Sequence, residues 1–365
     1  MSLAKQNKDM EEDEKKPSNL DTIPWVAFKT ILANTDYHAV SSLKKVSKHF
    51  RQLEIDTYFS PKFDVIEFAF GLYFHDYISA SLDSSASDFS STCPCLEYNA
   101  ARDGCTVVRR YPGDTEKQLP DNYVDTFFAD MEFPLQKGEA VKLLRLFDCS
   151  LTEGGQDWFS RLGAIFAGRR KRIKVEKLSI TVSVEQSIMA VLPFIDPNSL
   201  TEMVVCGADP DDPPTVQLNQ LFATTQWMNL KEVTVDHCIM PNTWDAFMHL
   251  TTIVIHCTEL SLQQVIGLKN ICLTSETIES INCHDGDYDF DPLHMNYSYI
   301  HYFEHRYERN INRTFCFINP NRDDFIVGIT QYWYRRGNEL DIKKFRGKDI
   351  PRDNGLEEPL ERIRL

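Results

Sequence analysis

The chain has 365 residues, a formal net charge of −15 and 42% apolar residues. This length predicts two or three compact units, and the strong negative charge argues against a surface that follows nucleic-acid phosphates. The first sixteen residues are charged where a secretory signal needs an apolar stretch, and no apolar run is long enough to span a membrane. Ten scattered cysteines without such a signal predict reduced thiols and a cytoplasmic or nuclear location.

Residues 1–19 are predicted to be a disordered, charge-mixed tail, because they cannot bury enough apolar surface to fold. Residues 20–57 then predict a small unit of three helices, the first of which is capped by Asp21 or Thr22 and opened by Pro24. One side of this unit is apolar, which favours either docking on a partner or packing against the next domain. The residues of this side are Ile23, Phe28, Ile31, Leu43, Val46 and Phe50.

The next segment has β character. Residues 63–73 predict a strand, and Asp103-Gly104 predicts a hairpin with a primed turn between residues 95–98 and 105–109. Cys93-x-Cys95 with Cys105 offers three zinc ligands, but no fourth ligand stands at a suitable spacing. Ordinary thiols are therefore favoured, and no metal is predicted here.

From Val141 onward the chain shows a repeat of the leucine-rich type. The pattern L-x-x-L-x-L-x-x-N/C-x-L fits residues 141–151 and 230–240, and weaker copies start at residues 175, 200, 250 and 268. Helical stretches around Trp158, Ile188, Leu218 and Trp244 separate the copies. The predicted fold is therefore of the α+β or α/β class, with an irregular leucine-rich-repeat-like solenoid on a parallel sheet.

Alternation along each repeat strand divides its residues between a buried side and an open side. Eight residues are predicted to share one core: Leu144, Leu146, Leu178, Ile180, Val233, Val235, Ile253 and Ile255. The open side should present two rows, Arg145, Ser179, Val204, Thr234 and Val254, then Phe147, Thr181, Cys206, Asp236 and His256. From these rows we predict a target-binding surface of Arg145, Phe147, Thr234, Asp236, Val254 and His256, unless a C-terminal helix around Tyr302 covers it.

The end of the chain departs from the repeat. Residues 297–307 predict an aromatic helix, residues 314–318 and 325–330 a closing pair of strands, and residues 343–365 a loose charged stretch. Residues 285–289 begin like a calcium loop, but Phe290 and Asn296 stand where glycine and glutamate are required, which favours a solvated acidic loop. The basic run at residues 169–172 is interpreted as a charged connector in preference to a nuclear signal. No nucleotide loop or nucleophile elbow occurs, so neither an enzyme nor a cofactor is predicted.

The helical unit at residues 20–57 resembles an F-box. Ile23-Pro24 stands where that motif has Leu-Pro, Ile31-Leu32 follows at the right distance, and the stretch from Leu43 to Arg51 matches the motif's end. Isoleucine for leucine at 23 and phenylalanine for tryptophan at 50 are mild departures. The resemblance implies a surface that binds a Skp-type adaptor, formed by Ile23, Pro24, Phe28, Ile31, Leu32, Leu43, Val46, Ser47 and Phe50.

Residues 60–335 resemble the F-box-associated FTH-type domain of the large nematode F-box family. The resemblance rests on residues 103–107, Asp-Gly-Cys-Thr-Val, and on the later Leu-x-x-Leu-x-Ile strands, and it leaves residues 336–365 as a charged C-terminal segment. It implies a substrate receptor of a cullin-based ubiquitin ligase. The implied partners are a Skp-type adaptor, a cullin scaffold that the adaptor connects to the chain, and an unknown protein target. Neither nucleic acid nor membrane is expected. The alternatives are a ligase-independent interaction scaffold and a metal- or thiol-dependent enzyme built around Cys93, Cys95 and Cys105.

Overall fold

The computed structural model divides the chain into two compact units, residues 1–61 and 62–365. It describes residues 27, 30, 62–71, 77–83, 95–110, 115–148, 158–207, 216–239, 244–257, 260–286, 299–307, 310–319, 322–334 and 337–346. In the first unit, Ala27 and Thr30 are helical and exposed. The nine predicted adaptor-binding residues lie outside the described residues: Ile23, Pro24, Phe28, Ile31, Leu32, Leu43, Val46, Ser47 and Phe50.

The second unit is a mixed α/β structure built on one large sheet. Its described strands are β1 (Lys62–Phe70), β2 (Tyr77–Asp83), β3 (Cys95–Ala101), β4 (Gly104–Arg110), β5 (Thr115–Leu119), β6 (Ala140–Asp148), β7 (Lys174–Val182), β8 (Glu202–Gly207), β9 (Glu232–Asp236), β10 (Thr252–His256), β11 (Ser280–Gly286), β12 (Tyr299–Tyr307), β13 (Asn310–Asn319), β14 (Arg322–Tyr334) and β15 (Gly337–Arg346). The described helices are α1 (Tyr123–Lys137), α2 (Trp158–Ala167), α3 (Glu185–Val191), α4 (Thr225–Met228) and α5 (Leu262–Thr274). Short 3₁₀ turns occupy Leu192–Phe194, Leu221–Ala223 and Asp245–Phe247. None of the described helices combines the length and the apolar character that a membrane crossing requires.

The strand order is β12-β13-β14-β15-β11-β10-β9-β8-β7-β6-β1-β2-β3-β4-β5. The seven central strands, β1 and β6 to β11, run parallel, and antiparallel strands extend the sheet on both sides. From β6 to β11 each strand lies beside the one before it in the chain. Because crossovers between parallel strands are right-handed, a run without reversal sends the connecting helices to the same face of the sheet.

The predicted core is confirmed. Its eight members lie on adjacent parallel strands and are each no more than 1% exposed. The core continues into β1, where Phe70 stacks on Trp158 of α2 with ring centroids 5.1 Å apart. Alternation of apolar and polar residues on strands therefore determines which face of this sheet is buried.

Buried polar side chains join each connection to the next one. Gln226 of α4 donates from Nε2 to the carbonyl oxygens of Leu192 and Ile195, each at 2.9 Å, and is 5% exposed. Glu185 at the start of α3 accepts hydrogen bonds from the backbone N–H groups of Gln220 and Leu221, at 2.6 and 2.8 Å. Within the described residues, three of these backbone groups have no backbone partner, and the Leu192 carbonyl oxygen also accepts from Ile195 N–H at 3.0 Å, so the two side chains hold successive connections in register.

Helix α1 was not predicted from the sequence. It begins at the N-cap Asn122, whose Oδ1 accepts from Val124 N–H at 2.8 Å. At its end the Arg169 guanidinium donates to the carbonyl oxygen of Gly138 at 2.6 Å and to that of Leu135. Burial lowers the pKa of Arg169. The side chain of Arg169, the first residue of the basic run, therefore caps the C-terminal end of α1. Lys171 and Arg172 are exposed, as expected of a connector.

The hairpin of β3 and β4 is confirmed, but its turn differs from the prediction. Arg102 and Asp103 form the turn, and neither has the positive φ that a primed turn requires at its central residues. The positive φ, 134°, falls on Gly104, the first residue of β4.

Three predictions for the C-terminal half are wrong. Residues 268–274, which we assigned to a repeat strand, belong to helix α5, and the strand is β11. Residues 299–307 form strand β12, where a helix was expected. Residues 343–346, expected to be loose, belong to β15, which pairs with both β11 and β14. The expected closing pair is confirmed as the antiparallel strands β13 and β14.

Candidate protein-interaction face

The central strands present a second face, opposite the core, that carries the predicted target-binding residues. We call it the open face and define it by two rows aligned by the strand register: Arg145, Ser179, Val204, Thr234, Val254 and Asn282, then Phe147, Thr181, Cys206, Asp236, His256 and His284. All twelve residues have intermediate exposure, whereas the core side chains beside them on the same strands are buried. The two rows have the alignment that strand alternation predicted. Their role in binding a target stays a prediction.

The part of the open face nearest β1 has its charges internally paired. Arg145 Nη1 lies 3.2 Å from Glu67 Oε2 on β1, and Lys177 on β7 pairs with Glu202 on β8. Arg145 was predicted to bind a target directly. In the structure its guanidinium is already committed to Glu67, so a charged target group gains little there.

The part around β9 carries a carboxylate in a different setting. Asp236 ends β9, its side chain is 30% exposed, and its Oδ1 lies 3.5 Å from His237 Nε2. Within the described part of the chain, Asp236 forms no ion pair with a lysine or arginine. It stands next to Thr234, which the register places between Val204 on β8 and Val254 on β10.

Two imidazole rings lie side by side on the neighbouring strands. His256 of β10 and His284 of β11 are register partners, and their ring centroids are 4.9 Å apart with planes inclined by 27°. His284 was not singled out in the sequence, because its strand was assigned to the wrong residues. The open face therefore extends one strand further than predicted.

The backbone just after Asp236 is unusual. His237 has a φ of 49°, the single positive value for a residue other than glycine among those described. A Cβ added at Gly207 on β8 would lie 2.4 Å from the His237 carbonyl oxygen, so β8 must end in glycine at this point. The two strand ends approach each other closely, which directs Asp236 and His237 to the same place on the face.

The thiols near this end of the sheet are not nucleophiles. Burial and the neighbouring Asp236 carboxylate raise the pKa of Cys206 to about 12. The pKa of Cys238 is also raised to about 12, by burial and by the neighbouring Cys206 thiol and Asp236 carboxylate. Thiolates carry out both nucleophilic attack and metal binding, so these residues are held in the inert form at neutral pH. Cys238 instead donates a weak hydrogen bond to the Asp236 carbonyl oxygen at 3.3 Å.

The zinc alternative lacks a geometric basis. Cys95 pairs with Arg110 and Cys105 with Ala100, so five strand residues, about 17 Å, separate the two thiols along the hairpin. Cys105 donates its S–H to Thr126 Oγ1 at 3.4 Å, and Cys93 lies outside the described residues. Across the described ranges no group of three or more His, Cys, Asp or Glu side chains is placed to hold a metal ion. Of the acidic loop predicted at residues 285–289, Asp285 and Gly286 belong to strand β11, and residues 287–289 lie outside the described part of the chain.

A buried lysine was not singled out in the sequence analysis. Lys269 of α5 is fully buried, and desolvation lowers its pKa to about 8. Helical periodicity could have shown that Lys269 is buried, since Lys269 lies on the same side of α5 as the buried residues Val265 and Cys272. It lies on a helix, apart from the open-face strands.

Comparison with known proteins gives a family match for part of the chain. No curated protein and no solved structure matches the chain. Residues 156–299 match the FTH domain, over a segment that contains strands β7 to β11 and most of the open face. The FTH domain is typical of F-box proteins, which indicates a role in protein interaction for this part of the chain.

Proposed function

We propose that this protein is the substrate-recognition subunit of a Skp-cullin-F-box type ubiquitin ligase. The observation that carries the proposal is the FTH-domain match at residues 156–299. An F-box-like sequence precedes that domain at residues 20–57, as expected for a chain that joins an adaptor to a target. We interpret the run from β6 to β11 as the leucine-rich-repeat-like part of the receptor.

In this role the chain acts by positioning and supplies no catalytic group. The adaptor-docking unit connects it, through a Skp-type adaptor, to a cullin scaffold, and the open face holds the target. Binding both partners raises the concentration of the target near the ligase's active subunit. We propose that the protein works in the cytoplasm or nucleus, and the free thiols of the described residues, several of them buried, support a reducing compartment.

Adaptor binding by the purified full chain tests the proposal. Replacing Ile23 and Pro24 together with alanine removes two interface anchors worth about 2 kcal/mol each, so affinity should fall roughly a thousandfold. The matched control is Asp236→Asn in the other unit, which should bind the adaptor like wild type. Equal adaptor binding by the double variant and the wild type would overturn the F-box assignment. A chain that binds no Skp-type adaptor at all would instead be a ligase-independent scaffold.

A further inference from the structure

The open face differs in charge from one side to the other. Near β1, Arg145 and Lys177 are neutralised by Glu67 and Glu202. At β9, the Asp236 carboxylate lies 3.5 Å from His237 Nε2 and forms no ion pair with a lysine or arginine of the described residues. A cationic group from a partner therefore gains more at Asp236 than at Glu67 or Glu202, whose charges are already paired.

Cys206 and His256, the register partners of Asp236 on β8 and β10, lie directly beside this carboxylate, and apolar side chains lie one diagonal further on the same face. Val204 and Val254 flank Thr234 in the register, so each lies on a diagonal from Asp236, about 7–8 Å away. The Asp236 side chain is 30% exposed, so water screens its charge less than that of a fully exposed carboxylate, which strengthens its pairing with a cation.

The strands themselves leave no edge for a partner. Each of β6 to β11 is hydrogen-bonded to a neighbour on both sides, so a target cannot add a strand here. Contact must come from side chains laid across the face. The net charge of −15 also disfavours an acidic partner.

We propose that Asp236, Val204 and Val254 bind a segment of the target protein that carries an arginine or lysine beside an apolar side chain. The cation pairs with the Asp236 carboxylate and displaces His237 from it, while the apolar side chain packs on the valines beside Thr234. This inference rests on the proposed function, because it specifies which kind of target the open face receives.

A random peptide library selected on the immobilised full chain tests this. The expected result is enrichment of peptides with arginine or lysine next to an apolar residue. A synthetic enriched peptide should bind wild type and lose roughly tenfold or more in affinity, about 1.4 kcal/mol, with Asp236→Asn. The matched control is Glu232→Gln, which alters an exposed carboxylate on the same strand and should change affinity by less than about twofold.

A second measurement does not depend on the folding of any variant. Replacing the peptide's arginine with citrulline, which has the same shape and no charge, should weaken binding to the wild-type chain by the same factor. Enrichment of acidic or uncharged peptides, an equal loss with Glu232→Gln, or no enrichment over an unrelated acidic protein would each overturn the proposal. Adaptor binding measured on the same preparation separates the two proposals. Adaptor binding without basic-apolar peptides refutes only the target class, and peptide binding without the adaptor refutes only the ligase role.

Discussion

Replacing Gln226 with leucine tests how the connections between strands are held together. Leucine has nearly the same volume, so the packing around α4 is kept while both side-chain hydrogen bonds are lost. The Ile195 carbonyl oxygen then loses its 2.9 Å donor, while the Leu192 carbonyl oxygen keeps the hydrogen bond from Ile195 N–H at 3.0 Å. An unsatisfied buried acceptor costs about 1–3 kcal/mol, so the free energy of unfolding should fall by roughly 1–3 kcal/mol.

Thermal unfolding followed by circular dichroism measures this loss. At roughly 2 °C per kcal/mol for a unit of this size, Tm should fall by about 2–6 °C. Gln217→Leu is the matched control, because Gln217 is an exposed glutamine in the same connection, and its replacement should change Tm by less than about 1 °C. If Gln226→Leu lowers Tm no more than Gln217→Leu does, the two carbonyl contacts contribute nothing and the connections are held by apolar packing alone.

Two further predictions concern the hairpin turn and the buried thiols. Gly104→Ala should destabilise the second unit by roughly 2 kcal/mol or more in a urea titration, because φ is 134° and the new Cβ would lie 2.0 Å from the Leu119 carbonyl oxygen. Gly168→Ala, whose new Cβ would have its nearest atom at 3.3 Å, should cost less in the same titration. The pKa of Cys272 is raised by burial to about 12, against an ordinary value of 9.0, so the folded state holds a proton that the unfolded chain releases. Stability should therefore fall as pH rises from about 9 to about 12, and Cys272→Val should make this fall shallower; an unchanged slope would contradict the assignment.

The sequence was sufficient to predict the faces of the parallel strands. Alternation placed Leu178 and Ile180 in the core and Ser179 and Thr181 on the open side, and parallel pairing aligned equivalent positions of successive repeats. Both follow from local geometry, since a strand's side chains alternate whatever it packs against. The pairing of Arg145 with Glu67 could not be predicted, because 78 residues separate them and no repeat relates β1 to β6.

The wrong strand and helix predictions come from residue spacings that fit both a strand and a helix. Leu268 and Ile271 are three residues apart, which fits both the repeat pattern and one side of a helix. Ser261 and Gln264 form a capping box that marks the start of α5, and this signal would have decided for the helix. Residues 299, 303 and 307 are aromatic at four-residue intervals, which favoured a helix, yet aromatic side chains are also typical of strands such as β12.

The pairing of β11 with β15 has a consequence for the protein during its synthesis. The parallel sheet ends at β11, and the strand that covers this edge, β15, is made about sixty residues later. At the usual translation rate of about 5–20 residues per second, the edge stays uncovered for roughly 3–12 s. An uncovered edge is a template for pairing with any other extended chain, so nascent molecules are exposed to aggregation in this interval. Chaperones that bind extended, strand-forming segments therefore have their best opportunity between the emergence of Gly286 and that of Arg346.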